Sequence, residues 1–138
     1  MNDPSGANHR VLQPATWPRP RGYANGIAAK GETIFLAGQI GWDSQGRFAE
    51  GLADQVGQAL SNIVALLAEA GAAPRHLVRL TWFVTDLRAY RDGQAAIGAA
   101  YRRVIGKHFP TISVIGVPEL VELAALVEIE ATAVLPGE

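Results

Sequence analysis

The stretch that decides the fold is residues 108–134, HFPTISVIGVPELVELAALVEIEATAV. It contains an aromatic–proline turn, a short apolar strand, a loop, and a longer strand that carries Glu128 and Glu130. Successive side chains of a strand point to opposite faces, so these two acids project from the same face. Carboxylates within an apolar strand are costly to bury without partners. We therefore expect the upstream chain to build a pocket against this segment.

Composition restricts the chain to one globular domain. Its 138 residues can bury a single core, and 49% apolar against 18% charged residues is typical of a folded protein. Twelve basic residues against thirteen acidic ones predict no nucleic-acid partner. The absence of cysteine excludes disulfides, thiolate metal sites and a cysteine nucleophile. Neither a signal segment nor a membrane-length apolar run occurs, so we expect a soluble cytoplasmic protein with no membrane partner.

Metal and phosphate sites are not expected. His9, His76 and His108 are far apart in the sequence and lack HxH or HExxH spacing. The glycines of residues 38–46 follow a strand, but no glycine-rich turn leads from them directly into a helix. We therefore predict that no metal binds.

Two periodicities divide the remaining chain into strands and helices. Apolar and β-branched runs predict strands at residues 23–29, 33–40, 77–84, 112–117 and 126–134. The first two strands flank a turn at residues 30–32, where Gly31 can adopt a positive φ. One helix is indicated from Asp54 by the spacing of Val56, Leu60, Ile63, Val64 and Leu67, with Gln55, Gln58, Ser61 and Asn62 on its solvent side. Gly71 is expected to end this helix.

A second helix is expected between Asp86, as its N-cap, and Gly106. Its inner stripe is Tyr90, Ile97, Tyr101 and Val104. The predicted order is thus β-β-α-β-α-β-β. This is a two-layer α/β sandwich of the α+β class, with a mixed sheet covered on one face by two helices. The uncovered face would need an oligomer to cover it.

An extended arm is predicted at residues 1–22, because prolines interrupt any periodicity there. Residues 23–138 form the single domain. Two interpretations of the arm remain open. In one, Trp17 plugs a surface groove; in the other, Arg19 or Arg21 reaches a site.

Six sequence landmarks occur in a consistent order along residues 20–135. They are Tyr23, Gly38-Gln39, the helix QVGQALSNI at 55–63 followed by Ala70-Gly71, the strand end WFVTD at 82–86, Phe109-Pro110, and VEIEA at 127–131. With these motifs, the chain resembles the Rid (reactive intermediate deaminase) family, also called YjgF or UK114. The resemblance implies a chorismate-mutase-like fold and a homotrimer with pockets between subunits. It also implies hydrolysis of small-molecule enamines and imines to ketones and ammonia, without a cofactor.

Three site residues match the family pattern. Tyr23 matches its pocket tyrosine, the backbone around Gly38 matches the glycine of the second strand, and Glu128 matches the acid that orients water. For Glu128 and Tyr23, structural roles in the barrel and in packing remain open alternatives. Glu130 is expected to be structural. His108 is expected at the surface, and it is the alternative proton-transfer group.

Four positions depart from the family pattern. Ala37 replaces a serine, Ala95 (beside Gln94) falls where an asparagine is usual, and Val114 replaces a cysteine. The largest departure is Ile112, which stands in place of the arginine that clamps the substrate carboxylate.

The predicted substrate pocket therefore comprises Tyr23, Ala37, Gly38, Ile112 and Val114, with Glu128 as its catalytic acid. This pocket predicts an imine or enamine deaminase whose substrate is not one of the usual 2-imino acids. The alternative is a non-catalytic trimer of the same fold that binds a small metabolite or acts in regulation. Whether Arg19, Arg21 or His108 replaces the missing arginine is left open by the sequence.

Overall fold

The computed structural model describes residue 7 and residues 9–137, in which six strands, three α-helices and one 3-10 turn occur. The strands are β1 (Arg10–Leu12), β2 (Gly26–Ala28), β3 (Glu32–Ile40), β4 (Leu77–Val84), β5 (Thr111–Gly116) and β6 (Val127–Leu135). The helices are α1 (Leu52–Glu69), α2 (Leu87–Asp92) and α3 (Gln94–Val104), and the 3-10 turn is Pro74–His76. Residues 1–6 and 8 of the predicted arm, and residue 138 of the predicted domain, lie outside this described part. None of the helices in the described residues is long and apolar enough to span a bilayer.

The last strand of the chain is an inner strand of the main sheet. The sheet has the order β3-β6-β4-β5, with β6 antiparallel to both of its neighbours and β4 parallel to β5. Parallel neighbours require a crossover connection, and α2 and α3 supply it between β4 and β5. In the same way α1 connects β3 to β4, which run in the same direction on either side of β6. The predicted α+β fold with a mixed sheet is therefore confirmed.

The alternation along β6 separates a buried face from an open one. Four of its side chains are buried beneath the helices: Val127, Ile129, Ala131 and Ala133. Full burial of an aliphatic side chain such as Ile129 contributes about 1.5–3 kcal/mol. Glu128 and Glu130 point to the opposite face, as their spacing predicts. No helix covers this face within the described chain, and there the Phe35 side chain is 79% exposed.

Helix α1 buries the apolar stripe that its sequence predicts. Its fully buried members are Val56, Leu60, Ile63 and Leu67. The helix ends where expected, because Gly71 adopts a φ of 71°. The Gly71 N–H donates to the Ala68 carbonyl at 3.0 Å, and the Ala72 N–H donates to the Leu67 carbonyl at 2.9 Å. These two bonds form the Schellman pattern and satisfy carbonyls that the helix end would leave unpaired.

Gln55, predicted on the solvent side of α1, is buried. Its Nε2 donates to the carbonyls of Ala49 at 3.2 Å and Ala124 at 3.0 Å, and its Oε1 accepts from the Leu126 N–H at 2.8 Å. A Cβ at Gly41 would lie 2.7 Å from the Gln55 Cα, so only glycine allows this close approach. The prediction was wrong because the amide replaces water for three backbone groups. Gln55 thereby fixes the loop that leads into β6.

The second predicted helix is two helices. Its N-cap is confirmed, since Asp86 Oδ1 accepts from the Ala89 N–H at 3.0 Å. The helix is interrupted at Gly93, whose ψ of 16° is not helical. A Cβ at Gly93 would lie 2.9 Å from the Ala89 carbonyl oxygen. Glycine, which has no Cβ, therefore fits this break between the helices without a clash. Of the predicted inner stripe, Ile97 and Tyr101 are buried.

The first predicted strand is shorter than expected, and it does not pair with the second. Strand β2 is only three residues long and pairs with β1, which lies within the predicted irregular arm. At Gly31, φ is 148°, and a Cβ there would collide with the Leu135 carbonyl oxygen. The chain therefore turns against the end of β6, and β3 takes β6 as its partner.

Candidate functional site

A cleft of about 500 Å³ lies between α3, the edge strand β5 and residues 21–23. Tyr23, Ile112 and Val114 line it. The two strand residues face the helices, because they pack against the buried core. The volume falls within the range usual for small-molecule sites. Three of the predicted pocket residues are thus brought together in one concave surface.

The cleft has an aromatic floor and wall. Phe109 stacks on Tyr101 with ring centroids 5.5 Å apart. Tyr101 lies 6.5 Å from Trp82, and Trp82 meets Tyr90 edge-on at 6.2 Å. With Tyr23, five aromatic side chains line the cleft. Such rings offer large apolar surfaces with defined stacking geometry.

Tyr101 anchors this floor. Its hydroxyl donates to the His108 carbonyl at 2.6 Å, and burial raises its pKa above the ordinary value for tyrosine. It therefore remains a neutral hydrogen-bond donor over the physiological range. The Trp82 Nε1–H is also buried, and it has no acceptor among the described residues. The floor is consequently apolar and rigid, with little capacity for acid–base chemistry of its own.

Helix α3 presents a more polar row to the cleft. Gln94, Gly98 and Arg102 are spaced four apart, so they share one helix face, and all three line the cleft. The Gln94 Nε2 donates to the Tyr90 carbonyl at 2.7 Å. Ala95, where the family has an asparagine, is not among the lining residues. Sequence reasoning named Gln94 only as a neighbour and missed Gly98 and Arg102, although their four-residue spacing was a usable signal.

A second group of predicted residues lies on the helix-free face. The Glu128 side chain rests directly on the backbone of Gly38. A Cβ at Gly38 would lie 2.7 Å from both Cγ and Cδ of Glu128 and would collide with its Oε2. Ala37 is exposed beside this contact. The Glu128 carboxylate is half-buried, and in the described part of the chain neither a cation nor a hydrogen-bond donor is paired with it.

The two groups cannot meet within one protomer. Strands β5 and β6 lie on either side of β4. Ile112 and Val114 point towards the helices, whereas Glu128 points away from them. Side chains on opposite faces of a sheet do not share a pocket. The predicted site is therefore divided between two surfaces of the molecule.

The sequence left open whether Arg19 or Arg21 reaches the site in place of the missing arginine. Arg21 lines the cleft and Arg19 does not. Across the described residues, the one ion pair between side chains joins Arg47 to Asp43. Within that part of the chain, Arg21 and Arg102 are thus both without a carboxylate partner.

Two of the three histidines are buried and the third, His108, is half-buried. The His108 Nε2 lies 2.8 Å from the Leu77 carbonyl oxygen, and part of the residue remains exposed. His9 and His76 are buried. Burial lowers the pKa of His76, and nearby charge on Arg75, His9 and His108 lowers it further. Among the described residues, no group of three histidines or acids is placed to hold a metal ion.

Comparisons with known proteins agree with this fold. A model of the family described as endoribonuclease L-PSP matches residues 17–135. A RutC family protein of Aquifex aeolicus is 34% identical over 127 residues, which cover 91% of this chain and 98% of the relative. The putative reactive intermediate deaminase TdcF of Escherichia coli K12 is 32% identical over 116 residues, or 81% of this chain and 85% of the relative. A solved Rid-family structure, YyfB of Yersinia pestis, is 34% identical with a TM-score of 0.82, covering 93% of this chain and 99% of its own. The chain therefore belongs to the Rid family, whose model carries the description endoribonuclease L-PSP.

Proposed function

We propose that this protein hydrolyses a reactive imine or enamine to a carbonyl compound and ammonia. The observation that carries the proposal is the Glu128 carboxylate, which rests on Gly38 at the helix-free face without a cation partner in the described chain. A further relative, from Dermatophagoides farinae, is named 2-iminobutanoate/2-iminopropanoate deaminase and is 28% identical. The names of that relative and of TdcF, both deaminases, support this reaction class.

Glu128 is the proposed proton-transfer group. A water oxygen attacks the C=N carbon while the carboxylate accepts a proton from that water. The imine nitrogen takes this proton, which gives a neutral carbinolamine. The carboxylate then moves the hydroxyl proton to the nitrogen, and ammonia leaves as the C=O bond forms. One water is consumed and no redox change occurs, so this chemistry requires no cofactor. An enamine enters the same sequence after protonation at carbon.

A homotrimer is part of the proposal, because the cleft and Glu128 face opposite sides of the sheet. In a ring of identical copies, the Glu128 of one protomer can meet the cleft of its neighbour. The helix-free face, with its exposed Phe35, supports an interface there. Tyr23 would then contact the substrate from the cleft side, and backbone amides near Gly38 and Val114 would supply polar contacts.

The proposed substrate differs from the usual 2-imino acids. A carboxylate next to the C=N carbon would face Ile112 and Val114, which offer neither charge nor a donor. Loss of a charge-assisted pair with an arginine costs several kcal/mol when the anion is desolvated. We therefore expect a substrate that is neutral at this end.

Ammonia release tests the proposal. Neutral imines and 2-imino acids are generated in situ, and the rates with wild type, Glu128→Gln and Glu130→Gln are compared. Glu128→Gln is expected to lower kcat by about 10²–10⁴-fold. Glu130→Gln, which removes an exposed acid from the same strand face, should leave it unchanged. Ammonia release no faster than in buffer, or equal rates for both imine classes, would contradict the proposal.

A non-catalytic oligomer that binds a small metabolite is the alternative, and the size of the cleft supports it. In that case wild type and Glu128→Gln would bind the ligand equally and neither would release ammonia. The family description also names an endoribonuclease. The net charge of −1 argues against an RNA substrate, because binding of nucleic acid depends on neutralising its phosphates.

A further inference from the structure

The cleft contains charge that the proposed reaction does not use. Arg21 and Arg102 line it together with five aromatic side chains, and both arginine residues are exposed. Neither forms an ion pair within the described residues. Acidic side chains are absent from the lining described for this cleft. Within one chain, an anion that enters the cleft therefore meets two cations and no carboxylate.

The Arg102 side chain lies along its own helix, beside a residue that lines the cleft. A Cβ at Gly98 would lie 3.2 Å from the Arg102 Nη1, so the guanidinium lies along the helix surface where a side chain would stand. Gly98 itself lines the cleft. The guanidinium therefore borders the cavity and remains accessible to solvent.

Three aromatic rings are accessible next to these arginines. Tyr23 is 42% exposed and Phe109 is 37% exposed, and Tyr90 is partly exposed. Ile112 and Val114 extend the same apolar surface at β5. This surface suits a flat apolar body, whereas the guanidinium groups suit a carboxylate, which they can bind in a bidentate fork.

We infer that the cleft binds an aromatic carboxylate, with its ring on the aromatic surface and its anionic group at Arg102 and Arg21. The anion site has thus moved from position 112 to the rim of the cleft, so the carboxylate of the substrate is separated from its C=N carbon. This assignment rests on the proposed function for the reaction, but the binding itself can be measured without turnover.

Titration calorimetry on the purified full-length protein tests the assignment with two ligands of the same shape. 3-Phenylpropanoate carries the charge and 3-phenylpropanamide does not. We expect the carboxylate to bind about 5- to 20-fold more tightly in low salt, as a hydrogen-bonded charge in a partly desolvated cleft allows. Raising the ionic strength should reduce this preference. Propanoate, which lacks the ring, should bind at least about tenfold more weakly than 3-phenylpropanoate.

Matched variants locate the anion. Arg102→Gln should abolish most of the preference for the carboxylate, and Arg21→Gln should reduce it in the same direction. Arg88→Gln removes the same charge from α2, outside the cleft, and should retain the preference. Gly98→Ala should reduce it, because the new methyl group displaces the guanidinium.

Three results would overturn the inference: equal affinity for the acid and the amide, an unchanged preference in Arg102→Gln, or no measurable binding of the acid. The ammonia assay separates this outcome from failure of the proposed function. Charge-dependent binding without ammonia release would refute the reaction and support the anion site. Ammonia release without charge-dependent binding would refute the anion site and support the reaction.

Discussion

Gly38→Ala is expected to impair the reaction by moving Glu128. The new Cβ would lie 2.7 Å from Cγ and Cδ of Glu128, and ordinary contact begins at 3.4 Å. The side chain must therefore shift by about 0.7 Å or rotate away. Because Cγ is close to the main chain, the flexible end of the side chain cannot absorb the contact by itself.

The cost can be estimated for stability and for rate. Overpacking of this kind typically destabilises by about 1–3 kcal/mol. A displacement of about 1 Å in a group that acts on the reacting atoms can cost about 10²-fold. We therefore expect kcat for ammonia release to fall about 10- to 100-fold, with a molar mass by light scattering unchanged from wild type.

A double-mutant cycle identifies the cause. Glu128→Ala removes the atoms that the new methyl group at position 38 would meet, so Gly38→Ala should cost almost no further stability or rate in that background. Urea denaturation and the ammonia assay measure the two terms. If the single variant Gly38→Ala retains kcat within twofold, or if its effect persists undiminished without the Glu128 carboxylate, the proposed contact does not control the chemistry.

Three other perturbations follow from the structure. Gln55→Leu should lower the free energy of unfolding by about 1–3 kcal/mol in urea denaturation, since it leaves buried backbone groups unpaired. The control Gln58→Leu loses one hydrogen bond to Asn62 and should lower it by less. Equal losses of stability in the two variants would contradict the role of Gln55. The depressed pKa of buried His76 means that the unfolded chain binds protons more readily than the folded one. Stability should therefore be fully present above about pH 6.5 and fall as the pH drops below it, and His76→Asn should flatten this dependence in denaturation at pH 5.5 and 7.5; an unchanged slope would refute the assignment to this side chain. Ile112→Arg should increase ammonia release from 2-imino acids relative to neutral imines, and an unaltered ratio would show that position 112 does not select the substrate.

The periodicity of the sequence correctly predicted the elements that bury one face against the core. The alternation along β6 and the stripe of α1 both arise because one face of each element packs against the core. The caps at Gly71 and Asp86 were equally predictable, since each depends on a bond within its own few residues. No distant contact has to be known for any of these features.

The pairing of the short strands and the break between α2 and α3 could not be predicted from local periodicity. Strand β1 has only three residues, too few to show a period, and its partner β2 lies beyond the prolines of the arm. Gly93 interrupts a helix that its neighbours would continue, and a single glycine does not distinguish a break from a tolerated defect. Gln55 was misplaced because three distant backbone groups need its amide.

The candidate site shows the same limit. The residues of the cleft could be proposed from motifs, but a linear sequence does not tell that Ile112 and Glu128 leave their strands on opposite faces. Arg102 was missed because the exposed and the cleft-facing sides of α3 differ only through the packing of its neighbours. Its spacing from Gln94 and Gly98 becomes informative once that packing is known.

The division of the site between two faces has a genetic consequence. In the proposed trimer, a copy with a damaged cleft still carries an intact Glu128 for its neighbour, and a copy with a damaged Glu128 still offers an intact cleft. Two alleles that are each inactive alone could therefore complement each other when their products co-assemble, with activity restored at only some of the junctions. Variants that damage the interface itself should not complement each other, because such damage prevents the two copies from forming the shared site.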